Sequence, residues 1–389
     1  MRQAIVLLSF LPALAAAADP QDFGGPWRGV PHDEMSAEQR ARIETMLADN
    51  VAQLTLKGKL STAPATVLQA NLQWPLRPAN GYSFPGYHGI SNFVDLNAGF
   101  PNQLLDWNCG ARTYDQAGGY NHAGTDFFLW PFPWTMMDAQ SIDIVAAAAG
   151  VIIAKSDGNN DRSCPNNYSA DWNAVYVRHA DNSVAWYGHM KLGSLTTKAI
   201  GASVAVGEFL GKVGSSGFST GPHLHFENYN ASGQLVEPWA GQCRTGASLW
   251  AQQPAYYDSA INRLATHSAP PTEPNPNCPN PVAETLNLAN NVQRNQSVTF
   301  VTYYRDQRAG QVANMAILRP NGTAFQSWNF DMGTEVPDPY YTASYWYRNY
   351  TIPADAPYGL WKFRAVFQGK TTIHKFTVGD VIFADDLGG

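Results

Sequence analysis

Four histidines and one aspartate have the types and spacing of a catalytic metal site. His122 and Asp126 lie four residues apart, His189 ends the segment Trp-Tyr-Gly-His, and His223 and His225 are separated by one residue. Two histidines and one carboxylate can hold a catalytic zinc ion and leave its fourth position open for water. Two further imidazoles remain to transfer protons and stabilise charge. The set is therefore sufficient for metal-assisted hydrolysis.

The elements that must position these residues are predicted to be strands. Alternate residues of a strand point to the same side, so His223 and His225 would face one site while Leu224 and Phe226 face the core. The aromatic run at 127–130 predicts a buried strand directly after the first motif.

Two local features should shape these strands. Gly124 would permit a tight turn that brings His122 and Asp126 to one point. A hairpin is predicted between 174–178 and 184–187, across a turn at Asp181 and Asn182.

At these residues the chain resembles the lysostaphin/LytM-type zinc endopeptidases. That family has His-x-x-x-Asp, then a lone His, then His-x-His, in this order, and the resemblance covers roughly residues 88–230. It implies that His122, Asp126 and His225 bind one zinc ion. It also implies that His189 and His223 are catalytic residues outside the zinc ligand set.

The resemblance further implies a fold and an activity. The catalytic domain would be an antiparallel β domain that hydrolyses peptide bonds, mostly in the stem peptides and cross-bridges of bacterial peptidoglycan. A zinc-bound water would attack the carbonyl, with His189 and His223 as acid–base group and oxyanion stabiliser. Which of the two is the base is left open, as is the choice between peptidoglycan and a Gly-rich peptide as substrate.

Two other functions are weighed against this one. Residues 217–221 match the Gly-x-Ser-x-Gly elbow of serine hydrolases at Ser219, but that elbow requires a helix after the turn. Residues 222–225 predict a strand instead. A non-catalytic domain of the same fold, binding cell wall or activating another hydrolase, should lack one or more metal ligands, and all five motif residues are present here.

The remaining five histidines are not assigned to the site. His179 should lie where a strand enters a turn, and His88 fits a loop better than a groove. The others have polar or terminal surroundings; they are His32, His267 and His374.

The N-terminus predicts export. Residues 1–18 combine a basic start, an apolar run and an Ala-Ala-Ala site, as in a secretory signal peptide. No later stretch is long and apolar enough to predict a membrane span. The net charge of −6 gives no electrostatic basis for binding nucleic acid. We expect a periplasmic or extracellular protein, and oligomeric state is left open.

Four cysteines suit an oxidising compartment. An even number in an exported chain favours disulfides, and four cysteines allow three pairings. We predict the pairs Cys109–Cys164 and Cys243–Cys278.

The pattern predicts a mainly β chain of five segments. The helical pattern at 36–56, with Ser36 as its cap, is the only good one in the chain, and Asn321-Gly322 is a turn signal among the last strands. The segments are a signal peptide (1–18), an N-terminal extension with one helix (19–87), the catalytic domain (88–250), a linker that becomes Pro-rich (251–281) and a β-sandwich-like domain (282–389).

The roles of the two flanking segments are left open. A latency segment is one interpretation of the extension. Substrate binding, a removable pro-region and a purely stabilising role are all interpretations of the last domain. Because every candidate catalytic residue precedes the linker, residues 282–389 are predicted to be dispensable for bond cleavage.

Overall fold

The structure, a computed structural model, describes residues 22–61, 71–162, 171–272 and 284–379. Its elements are, in order, β1 (Phe23–Pro26), α1 (Ala37–Leu56), β2 (Leu76–Pro78), β3 (His88–Ile90), β4 (Thr125–Leu129), α2 (Pro133–Asp138), β5 (Ile142–Val145), β6 (Gly150–Ser156), β7 (Ala174–His179), β8 (Val184–Gly188), β9 (Ser203–Val204), β10 (Phe209–Lys212), β11 (His223–Tyr229), β12 (Ala260–His267), β13 (Asn291–Val292), β14 (Ser297–Arg308), β15 (Ala313–Leu318), β16 (Ala324–Phe330), α3 (Met332–Glu335), β17 (Tyr340–Thr351), β18 (Gly359–Phe367) and β19 (Lys370–Val378). The predicted mainly β fold is confirmed. Among the described residues, no helix is both long and apolar enough to cross a membrane.

The long helix α1 begins where its sequence predicts. The Ser36 hydroxyl accepts a hydrogen bond from the Gln39 N–H at 3.1 Å, which satisfies one of the free donors of the first turn. Ile43, Leu47 and Leu54 recur at helical spacing and form one buried stripe. This stripe packs on one face of a large sheet, against residues of β6, β7 and β8.

The catalytic region is built on one large antiparallel sheet. Its seven strands run in the order β3-β4-β11-β8-β7-β6-β9, and the predicted hairpin is confirmed as β7 and β8. A smaller sheet, β10-β5-β2, shares its core. Leu224 and Phe226 of β11 lie in that core, as strand alternation predicts, and β4 confirms the predicted buried strand.

The last part of the chain forms two facing sheets with a common core. One has the order β1-β17-β14-β12 and the other β13-β19-β18-β15-β16. The turn at Asn321-Gly322 joins β15 to β16 as predicted. Two strands come from outside the predicted domain, because β12 lies in the range assigned to the linker and β1 in the N-terminal extension. The domain boundaries themselves stay predictions.

The disulfide pairing differs from the prediction. Cys109 is bonded to Cys243, with a Cα–Cα distance of 5.0 Å, so both predicted pairs are wrong. The reason is that the two loops run side by side, since the Cys243 N–H donates to the carbonyl of Trp107 at 2.9 Å. The prediction had paired cysteines that are close in sequence. Cys164 and Cys278 lie outside the described residues.

Candidate metal centre

Three neighbouring strands bring the predicted site residues together. Asp126 lies on β4, His223 and His225 lie on β11, and His189 directly follows β8. Because β4 and β8 flank β11, the register places His225 beside Asp126 on one side and beside Gly188 on the other. His122 reaches the same point from the loop before β4. All five side chains therefore converge.

Glycine is required at position 124 for a different reason from the one predicted. Its backbone is not in the left-handed region, so no glycine-only turn occurs there. A Cβ at this position would lie 2.6 Å from Nε2 of His225 and 2.8 Å from the carbonyl oxygen of Phe226. Glycine is required because the metal-site strand β11 approaches the loop too closely for a side chain.

Hydrogen bonds fix the orientation of three of the imidazoles. Nδ1 of His122, His189 and His223 each lies beside a backbone carbonyl oxygen, which can only accept. Their partners are Phe93, Ser216 and Gly221, at 2.7, 2.6 and 2.8 Å. Each Nδ1 therefore carries a proton, and each ring directs its Nε2 towards the cluster.

A carboxylate fixes the fourth ring. Nε2 of His225 lies 2.9 Å from Oε1 of Glu227, so Nε2–H donates and Nδ1 faces the cluster. Burial alone would raise the pKa of Glu227, but the Arg40 guanidinium, at 2.8 and 2.9 Å, lowers it to about 2. The carboxylate behind His225 is thus held ionised.

The inward-facing atoms have the spacing of a metal's ligands. Nε2 of His122 lies 3.0 Å from Asp126 Oδ2, Nδ1 of His225 lies 2.8 Å from Asp126 Oδ1, and the two nitrogens are 3.3 Å apart. Zinc–ligand bonds of about 2.0–2.1 Å in a tetrahedron would place such atoms roughly 3.3 Å apart. These donors fit a zinc ion.

The same atoms stabilise a positive charge between them, whether protons or a metal ion carry it. Burial opposes protonation of His225, but the carboxylates of Asp33 and Asp126 raise its pKa well above the usual range. Buried nitrogen and oxygen lone pairs that face one another are unfavourable unless a proton or a cation lies between them. The site is therefore chemically suited to a bound metal ion.

His223 differs from its neighbours. Among the described residues its Nε2 has no hydrogen-bond partner, and the nearest carboxylate oxygen, Asp126 Oδ1, is 3.7 Å away. Burial, together with the charge of His189, lowers the pKa of His223 to about 4. A pKa this low keeps the ring unprotonated near neutral pH, so its Nε2 lone pair is available to accept a hydrogen bond or a proton.

Two buried carboxylates at the site are absent from the predicted set. Glu227 could have been found, because it shares the alternating face of β11 with His223 and His225. Asp33 could not, since the loop that carries it has no pattern. Its Oδ2 lies 2.8 Å from Nδ1 of His225 and 3.1 Å from Nε2 of His189.

Asp33 completes a closed cluster. Its Oδ1 accepts hydrogen bonds from the hydroxyls of Tyr114 and Tyr120. The six central residues are each no more than 2% exposed to solvent; they are Asp33, His122, Asp126, His189, His223 and His225.

Ser219 does not form a nucleophile elbow. Its hydroxyl contacts the Ser215 hydroxyl at 2.7 Å and the Gly221 carbonyl at 3.0 Å, and the strand β11, not a helix, follows. Of the other histidines, His179 bonds the carbonyl of Ala149, and His88 lies on β3 and not in the predicted loop. None of them belongs to a described metal-ligand group.

Comparison with known proteins agrees with this geometry. Residues 134–238 match the sequence model of peptidase family M23. The chain carries a peptidase family M23 domain. The matched segment contains His189, His223 and His225, whereas His122 and Asp126 precede it. The family recognised from the three motifs is therefore confirmed.

Curated relatives of this M23 domain match over short parts of their length. The peptidoglycan DD-endopeptidase ShyC of Vibrio cholerae is 35% identical over 152 residues, which is 35% of this chain and 34% of the relative. The DD-carboxypeptidase/endopeptidase Mpg of Neisseria meningitidis is 47% identical over 66 residues, or 17% of this chain and 14% of the relative. The chain thus spans about a third or less of these relatives.

Solved structures of peptidases are also similar to part of this chain. The catalytic domain of lysostaphin from Staphylococcus simulans is 22% identical, covers 39% of this chain and 89% of its own, and has a TM-score of 0.25. A zinc-containing peptidase from Vibrio cholerae is 20% identical, covers 39% of this chain and 36% of its own, and has a TM-score of 0.25.

Proposed function

We propose that this protein is an exported, zinc-dependent endopeptidase that hydrolyses peptide bonds in peptidoglycan stem peptides or cross-bridges. The observation that carries the proposal is the convergence of three metal-ligand groups, 2.8–3.3 Å apart, in a chain whose residues 134–238 match a peptidase family. The substrate class rests on the relatives, of which one is named a peptidoglycan DD-endopeptidase and another a DD-carboxypeptidase/endopeptidase. A periplasmic or extracellular location follows from that substrate.

His122, Asp126 and His225 would hold one zinc ion. Bound there, zinc would polarise the scissile carbonyl and lower the pKa of water towards about 7. Glu227 would orient the ring of His225 and increase its basicity, which is the usual role of a carboxylate behind a metal-bound imidazole. Arg40 keeps that carboxylate in place.

His189 and His223 would transfer the protons. Both rings have their Nδ1 proton held by a carbonyl and their Nε2 directed at the cluster. Such a neutral imidazole can take a proton from the attacking water, while its partner orients the water or donates to the tetrahedral intermediate. The free lone pair of His223 favours that residue as the base.

The alternative is a non-catalytic wall-binding or hydrolase-activating domain of the same fold. The closed cluster is the observation that favours it, since a substrate cannot reach a site that is this buried. Its residues nevertheless include two imidazoles that a purely metal-binding or wall-binding domain would not need.

Digestion of purified peptidoglycan tests the proposal. The full chain and an Asp33→Ala variant, in which the carboxylate that fills the cluster is removed, should release fragments with new amino and carboxyl termini, read by mass spectrometry. A strong chelator should abolish the products and zinc should restore them. Asp126→Ala should lose most of the metal. Zinc-loaded, folded protein that yields no peptide-bond cleavage in either form would contradict the proposal.

A further inference from the structure

We infer that residues 22–36, here named the strap, block the metal centre, and that the last β domain is the anchor that holds the strap in place. The inference rests on the proposed function for the identity of the blocked site. It gives a role to the two segments whose purpose the sequence leaves open.

The first step is the position of Asp33. Its carboxylate lies among the inward-facing nitrogens, 2.8 Å from Nδ1 of His225 and 3.1 Å from Nε2 of His189. A catalytic metal with three protein ligands needs an open position for water or substrate. Asp33 places an anionic oxygen where that open position would be, and so competes directly with the reactants.

The second step is the path of the strap backbone. The His32 N–H donates to the Thr220 hydroxyl at 2.7 Å, the Thr220 N–H donates to the His32 carbonyl at 3.0 Å, and Asp33 pairs with Ser219 as an antiparallel bridge. An extended peptide that pairs with the backbone at the edge of a site follows the path of a bound peptide ligand. The strap therefore fills the route that a substrate peptide would take.

The third step is the anchor. Strand β1 pairs antiparallel with β17 and forms the edge of its sheet. Asp22 makes a bidentate ion pair with Arg348 at 2.8 and 2.6 Å. The backbone N–H of Trp27 donates to the carbonyl of Ala343 on β17 at 2.9 Å, while its buried ring packs on Phe128 and Trp130 of the catalytic region.

The strap is also fixed at its other end. Helix α1 starts directly after it, and Arg40 of that helix pairs with Glu227 behind the metal centre. A segment tethered on both sides returns to its site at a high effective concentration. When β1 separates from β17, the strap is tethered only through α1, and the block of the metal centre is relieved.

Two adjacent glycines offer a matched test of the anchor. A Cβ on Gly24, whose φ is +135°, would lie 2.1 Å from the carbonyl oxygen of Tyr345, whereas a Cβ on Gly25 would meet nothing within 4 Å. Gly24→Ala should therefore disrupt the pairing of β1 with β17, and Gly25→Ala should leave that pairing intact. Neither position touches the metal centre.

Two quantities are measured on the zinc-loaded full-length proteins: the rate at which a chelator removes zinc, and the rate of hydrolysis of a soluble stem-peptide substrate. Both should rise about tenfold or more in Gly24→Ala, because they scale with the fraction of molecules whose strap is released. Gly25→Ala should match the unaltered protein. Asp33→Ala should raise hydrolysis to a similar extent. A synthetic peptide of residues 22–36 should inhibit Gly24→Ala, and the same peptide with Asp33→Ala should not.

The outcomes separate the two proposals. Faster zinc removal in Gly24→Ala with no hydrolysis by any protein would support the strap and contradict the peptidase function. Equal hydrolysis and equal zinc removal in all proteins would overturn the strap and leave the function standing. If Gly24→Ala does not fold, Arg348→Ala, which removes the ion pair to Asp22, replaces it. Its control is Arg42→Ala, which removes an exposed ion pair of α1.

Discussion

The two imidazoles outside the proposed ligand set are the residues on which the chemistry should depend most. His189 has a φ of 57°, in the left-handed region that few non-glycine residues adopt, and this turns its ring back to the cluster. His223 shares a strand face with His225. Both have a fixed proton on the side away from the metal centre, so each presents one reactive nitrogen.

Replacing either imidazole should separate metal binding from turnover. His189→Ala and His223→Ala should keep zinc, because neither is in the proposed ligand set, and each should lose roughly 100-fold or more in turnover, as removal of a positioned acid–base group does. Zinc content and turnover are measured on the same samples, in a background in which the strap is released. His179→Ala is the control, since that ring is also buried but bonds Ala149 away from the cluster. Near-normal turnover in zinc-loaded His189→Ala would make His189 structural.

Strand alternation explains how much of the site the sequence reveals. Residues on one face of β11 could be placed without a structure, and the same rule extends to Glu227. The rule fails for Asp33, because a loop has no period and its contact with His225 joins positions distant in sequence. It fails also for Gly124, where the requirement is space for a neighbouring strand and not a turn.

At the scale of elements, the strands with aromatic or β-branched runs are the ones that the sequence predicts. β4, β7, β8 and β14 are of this kind. The sequence does not predict β1 or β12, because their pairing partners belong to a different part of the chain. A strand without a clear alternating pattern is fixed only by the sheet edge that it joins. The disulfide was missed for the same reason, since it joins loops that only the fold brings together.

The strand β12 carries a pH-dependent element of stability. His267 at its end is fully buried, and burial together with nearby Arg263 lowers its pKa to about 4. In the unfolded chain the pKa would be about 6.5. Between these values the unfolded chain binds a proton that the folded protein does not, so stability falls as pH drops from about 6.5 to about 4.

His267→Gln should weaken this dependence. Glutamine can still contact the Tyr303 hydroxyl, which lies 3.2 Å from His267 Nε2, but does not titrate. The free energy of unfolding, measured by denaturant titration, should vary less with pH in that interval, by up to about 1.4 kcal/mol per pH unit. Parallel pH profiles for the two proteins would contradict the assignment.

On the scale of the whole molecule, a buried ion pair ties the catalytic region to the last β domain. Arg112 lies 2.7 Å from Asp306 of β14, and both side chains are almost fully buried. Asp306 also accepts hydrogen bonds from the Asp258 N–H and the Tyr340 hydroxyl. The last domain is therefore part of the packing of the catalytic region, although its dispensability for bond cleavage stays a prediction.

Removing one partner of this pair should destabilise the protein strongly. Asp306→Ala would leave the Arg112 guanidinium buried without its counter-ion, at a cost of about 3–5 kcal/mol. The measurement is the free energy of unfolding by denaturant. Asp171→Ala, whose partner Arg42 is exposed, should change it by about 1 kcal/mol or less. A similar small effect from both variants would show that the buried pair does not couple the two regions.

The pairing of β1 with β17 also sets an order of events during the synthesis and folding of the chain. Asp22 and Arg348 are 326 residues apart, and a polypeptide emerges from the ribosome with its N-terminal end first. The sheet that carries the metal centre is complete before β17 has emerged, so the strap has no edge to dock on while that sheet forms. Metal loading would fall naturally in this interval, before closure, and a newly made molecule would pass through an open state once on its way to the closed one.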